Sequence, residues 1–128
     1  MKRILVVEDN AELAKLLELI LRRAGYEISL AEDGNEALTR FAEDHPDLVL
    51  LDIMLPRMDG YEVATHIRGD LHSEVPIIML SSLDTPLDMQ RSRTAGATTH
   101  VAKPFNKDEL LVTIAAYLDG SEAGEAAA

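Results

Sequence analysis

Apolar and polar positions along this chain switch between two periods, five times over. Ile4-Leu5-Val6-Val7, Leu48-Val49-Leu50-Leu51 and Ile77-Ile78-Met79-Leu80 are continuous apolar runs, the pattern of strands buried on both faces. Tyr26-Glu27-Ile28-Ser29-Leu30 alternates and Thr98-Thr99-His100-Val101-Ala102 is mixed, which marks two edge strands. Helical spacing fills the gaps. Leu13, Leu16, Leu17, Ile20, Leu21 and Ala24 form one stripe; Ala37, Leu38, Phe41 and Ala42 follow the start signal Asp33-Gly34-Asn35-Glu36. Val63, Ala64 and Ile67 share a face between Gly60 and Arg68. A fourth helix opens at Thr85-Pro86 and reaches Asp88, a cap with proline in the first turn. The last opens at Asn106-Lys107-Asp108-Glu109 and continues through Leu110, Leu111, Ile114 and Leu118.

Strands alternating with helices imply an α/β fold with a parallel sheet covered on both faces. The first, third and fourth strands inside, with the second and fifth outside, fit the order 2-1-3-4-5, a flavodoxin-like doubly wound five-stranded sheet with five flanking helices. Ligands of such sheets bind beyond the strand C-termini where the chain reverses direction, here between the first and third strands. Glu8, Asp9 and Asp52 fall at that place. Ser81 ends the fourth strand and Lys103-Pro104 follows the fifth.

Composition narrows the chemistry. The 128 residues include no cysteine, so disulfides, thiol nucleophiles and cysteine-based metal sites are excluded. No apolar run approaches the ~18 residues needed to span a bilayer, and a cytoplasmic location is expected. The net charge of −11 opposes direct nucleic-acid binding. Residues 1–119 read as one domain, and residues 120–128, rich in Gly, Glu and Ala, as a disordered tail or truncated linker.

Three carboxylates and Lys103 sum to −2, and a divalent cation brings the cluster to zero. Magnesium prefers one or two carboxylates, several waters and phosphate oxygens; Asp9 and Asp52 are candidate direct ligands, with Glu8 holding a coordinated water. Without metal the acids should repel and their pKa values rise. With metal, a carboxylate can act as nucleophile and form an aspartyl-phosphate. Asp52 suits that role because it stands alone at the central strand's end, while Lys103 can pair with one phosphoryl oxygen and Ser81 donate to another. Proline at 104 biases Lys103 away from helical geometry and permits a cis bond. Each residue also has a plainer reading: Glu8-Asp9 as a helix cap, Asp52 as a turn cap, Ser81 as a loop residue. Their shared placement at strand C-termini favours a site.

Val7-Glu8-Asp9, Leu51-Asp52-Ile53-Met54-Leu55-Pro56-Arg57-Met58-Asp59-Gly60, Leu80-Ser81-Ser82, Ala95-Gly96-Ala97 and Lys103-Pro104-Phe105 together resemble the receiver domain of two-component response regulators, over about residues 1–118. The resemblance implies phosphorylation of Asp52 from a partner's phosphohistidine, that partner being a sensor histidine kinase or a histidine phosphotransfer protein. It implies magnesium held by Glu8, Asp9, Asp52 and the Met54 carbonyl. It also implies a switch hydroxyl at Ser81, a charge partner at Lys103 and a structural role for Pro104. The chain would then catalyse only its own phosphorylation and dephosphorylation, its output being a population shift. A downstream protein would read the fourth helix, fifth strand and fifth helix if the chain is a stand-alone regulator; the alternative is a receiver excised from a longer regulator.

The chain departs from the family pattern in two respects. His100 stands where an aromatic switch ring is usual, and reads either as an edge-strand histidine or as a switch ring whose burial requires its neutral form. Met54 and Leu83, two residues beyond Asp52 and Ser81, are apolar and cannot orient an attacking water, so slow hydrolysis is expected. The fourth helix has the poorest apolar stripe, which suggests loose attachment. Competing classes fit less well. A haloacid-dehalogenase-like phosphatase usually carries a second aspartate where Met54 stands, and an acidic Glu8-Asp9-Asn10 loop would repel a flavin phosphate. A receiver-like module that is never phosphorylated leaves the intact acid set unexplained.

Overall fold

A computed structural model describes residues 1–83 and 85–118; the expected tail at 120–128, and Asp119 at the domain's expected end, lie outside them. Five strand–helix pairs follow in chain order: β1 (Arg3–Val7), α1 (Ala11–Arg23), β2 (Glu27–Ala31), α2 (Gly34–Asp44), β3 (Leu48–Asp52), α3 (Gly60–Gly69), β4 (Ile77–Ser81), α4 (Pro86–Ala95), β5 (Thr99–Ala102) and α5 (Lys107–Leu118). The strands form one parallel sheet in the order β2-β1-β3-β4-β5. Both edge assignments hold, and the three continuous apolar runs are the central strands.

Period-two alternation divides the core in two. Leu5, Val7, Val49, Leu51, Ile77 and Met79 face α2 and α3, where Ala37, Phe41, Val63, Ala64 and Ile67 meet them. Ile4, Val6, Leu48, Leu50, Ile78 and Leu80 face Leu17 and Leu21 of α1 and Leu110, Ile114 and Leu118 of α5. Every residue of β3 and β4 is buried. That explains why these strands read as unbroken apolar runs rather than as alternation.

Local capping follows the sequence signals. Asp33, Asp59 and Thr85 each accept a hydrogen bond from the backbone N–H three residues on, and Thr85 and Asp88 close a reciprocal capping box. The helical stripes shift slightly from expectation. In α1 the buried positions are Ala14, Leu17 and Leu21, while Leu16 is 47% exposed; Ala24 is the exposed cap and Ala42 of α2 is exposed as well. A helix on a twisted sheet buries a narrower arc than its full apolar stripe, so Leu16 and Leu19 are left facing outward.

Candidate functional site

β1 and β3 run side by side, Val7 opposite Leu51, so the residues that follow or end them emerge together. Glu8 and Asp52 are only 3% and 5% exposed, while Asp9 is exposed. One carboxylate oxygen from each of the three lies within 4.8 Å of the others. The loop after β5 closes the cluster from the opposite side: Lys103 Nζ donates to Glu8 Oε1 at 2.9 Å and to Asp52 Oδ2 at 3.2 Å. The Lys103–Pro104 peptide is cis, and the Lys103 backbone N–H donates to the Ser81 carbonyl at 3.0 Å.

Backbone donors fix the remaining oxygens. The Asn10 N–H donates to Glu8 Oε2 and the Met54 N–H to Asp52 Oδ1, both at 3.2 Å. Asn10 also caps α1 through Oδ1, which accepts from the Leu13 N–H, so one residue anchors both the helix and the acid beside it. Gly60 lets the turn after β3 fold back closely. A Cβ there would collide with the Asp52 carbonyl oxygen and the Ile53 Cα, and its N–H donates to the Ile53 carbonyl at 2.8 Å. The sequence places Gly60 at the start of the third helical segment; its closeness to the Asp52 backbone, like the Asn10 anchor, depends on neighbours the pattern does not reveal.

The electrostatics follow from burying two acids with one cation. Burial pushes the Glu8 carboxyl above the usual carboxylate range, and Asp52 adds to the effect, against the lowering influence of the Lys103 ammonium and the Asn10 N–H. The expected rise on crowding the acids is thus found at Glu8, with desolvation ahead of repulsion as its cause. Burial alone would pull the Lys103 ammonium down, but its hydrogen bond to Glu8 and the charges of Asp52 and Glu8 outweigh that, and its pKa lies above the ordinary lysine value.

Ser81 is almost fully buried at the end of β4, beside Ala102. Its Oγ accepts from the Leu83 N–H at 3.1 Å and makes no hydrogen bond to Asp52 among the described residues. Its own proton has no acceptor among the described residues. Met54 is 62% exposed at the rim of the cluster. His100 lies on β5 opposite Met79, with both ring nitrogens buried and unpartnered among the described residues. Glu8, Asp9, Asp52 and Lys103 are therefore brought together, Ser81 and Met54 sit at the margin, and His100 faces elsewhere.

An all-oxygen donor set of two buried carboxylates and one exposed one, open to solvent at Asp9 and Met54, fits a hard divalent cation such as magnesium. The family model described as response regulator receiver domain matches residues 4–115. The probable transcriptional regulator ycf27 of Cyanophora paradoxa is 43% identical over 121 residues, covering 94% of this chain and 50% of that protein. The DNA-binding response regulator MtrA of Mycobacterium tuberculosis H37Rv is 43% identical over 117 residues, covering 91% and 50%. The chain spans about half the length of these curated relatives. Among solved structures, Vibrio cholerae chemotaxis protein CheY4 matches with a TM-score of 0.87 and 33% identity, covering 92% of this chain and 99% of that one. A CheY-like receiver domain protein from Methanospirillum hungatei JF-1 gives 0.89 and 31%, covering 97% and 98%.

Proposed function

This chain belongs to the response regulator receiver domain family, and on that premise we propose that Asp52 accepts a phosphoryl group from a protein phosphohistidine, reversibly switching a surface that another protein or domain reads. The observation that carries this reading is the position of Lys103 Nζ, bridging Glu8 and Asp52 beside the three-carboxylate cluster.

In the reaction, an Asp52 carboxylate oxygen attacks phosphorus as the phosphorus–nitrogen bond of the donor breaks. The imidazole leaves with the bonding pair and takes up a proton. Glu8, Asp9, Asp52 and the Met54 carbonyl would hold magnesium, which when bound offsets the charge of phosphoryl and carboxylate oxygens. The Lys103 ammonium is poised to leave Asp52 for a phosphoryl oxygen, and the Ser81 hydroxyl can donate to another. Burial of Asp52 at the ends of β1 and β3, with Lys103 of the loop after β5 bonded to it, holds the nucleophile in one orientation. Exposed Leu16 and neighbouring Ile20 line an apolar groove with Phe105 and Lys103, a surface beside the carboxylates on which a protein donor can settle. Met54 and Leu83 offer no group to orient water, so the acyl phosphate decays slowly.

The chain is a signalling switch, and its chemistry is confined to its own phosphorylation and dephosphorylation. Mass measurement of the intact protein with acetyl phosphate and magnesium tests this. One phosphoryl adduct is expected, absent without magnesium and absent in Asp52→Ala; an adduct that persists in Asp52→Ala would overturn the assignment. Met54→Asn and Leu83→Glu should alter adduct decay more than a surface control. No described helix is long and apolar enough to cross a membrane, and a cytoplasmic setting, where kinase phosphohistidines are presented, completes the proposal.

A further inference from the structure

Among the described residues, buried side-chain polar atoms without a hydrogen-bond partner occur at Tyr61, Ser92 and His100, and all three border α4. Ser92 is the one buried residue of that helix. Arg91, next to it, lies over the Tyr61 ring at 4.3 Å. Ser92 and His100 line the same cavity of about 130 Å³ between α4 and β5, walled by Met89, Arg93, Ala97 and Thr99. An orphaned buried hydroxyl or imidazole weakens a folding equilibrium by roughly tenfold or more. Two on one cavity wall call for a partner that hydrogen-bonds to both.

We infer that this cavity is a hydration site whose ordered water ties α4 to β5 through Ser92 Oγ and the His100 ring. Its volume admits a few waters at about 30 Å³ each. Ser92 supplies one donor and an acceptor, and a neutral imidazole supplies one of each on its two nitrogens, which gives the two to four polar partners that a buried water needs. An apolar occupant would leave every one of these groups unmet. The tie matters because α4 buries no apolar side chain and sets only Ala95 against the margin of the core, so a water bridge sets where the helix rests.

Amide hydrogen exchange on the full 128-residue chain tests the bridge. Ser92→Ala and His100→Leu are compared singly and together, with exposed Thr94→Ala as the helix-propensity control. Each single substitution should raise exchange across α4 about tenfold over the control, and the double variant no further than either single one. His100→Gln, which keeps a donor and an acceptor, should retain most of the protection. Slower exchange in the singles, or effects that add in the double variant, would show a dry cavity and overturn the inference. So would exchange in α1 rising in step with α4, because the loss would then be global.

Discussion

Helix α1 buries Ala14, Leu17 and Leu21 against the sheet, whereas α4 buries only Ser92. The contrast extends to the strand ends beside them. Next to α1, the buried carboxylates of Glu8 and Asp52 each have an ammonium and a backbone N–H as partners. Next to α4, Ser92 and His100 have no partner among the described residues. One side of the molecule is held by apolar area and satisfied charge, the other by a capping box and a stacked guanidinium, against the cost of buried polar groups without a protein partner among the described residues. Local stability follows such differences in contact and satisfaction, so α4 is the element that can move at least cost while α1 keeps the site in shape.

Breaking the strong side should cost most. Leu17→Ala removes a fully buried side chain from α1 and should lower unfolding free energy by about 3 kcal/mol in urea titration. Lys103→Met leaves two buried carboxylates facing each other. We expect a loss of about 2 kcal/mol in metal-free protein, part of it recovered on adding magnesium. A third test concerns pH. The Glu8 pKa is raised on folding, so its contribution is full below its ordinary value of 4.5 and is lost as pH rises through the folded value. Glu8→Gln should therefore stabilise the metal-free protein at neutral pH, with the advantage shrinking toward acid. Lys103, also raised, should hold its contribution at neutral pH and lose it only above 10.5. The weak side should respond least. Arg91→Ala removes the guanidinium from the Tyr61 ring and should cost about 0.5 kcal/mol, while α4 amides exchange faster than those of α1. An Arg91 effect matching that of Leu17 would erase the comparison.

Much of this was legible in the chain. Unbroken apolar runs mark the central strands because a strand covered on both faces needs apolar residues along its length, and β1, β3 and β4 each carry four in succession, at 4–7, 48–51 and 77–80. Acids at the ends of two such runs foretell the carboxylate cluster because parallel neighbours bring their C-termini together. The flat pattern of α4 marks the weakly held helix. Other features depended on tertiary contact. The reach of Lys103 to Glu8 joins residues 95 positions apart, and no local period records which acid an ammonium will meet. Gly60 matters for its closeness to the Asp52 backbone, and Ser92 for the cavity it shares with His100. Burial pattern is written along a chain because each element presents its faces to the core at a fixed period. Pairing and cavities are not, because they arise between elements whose separation only packing fixes.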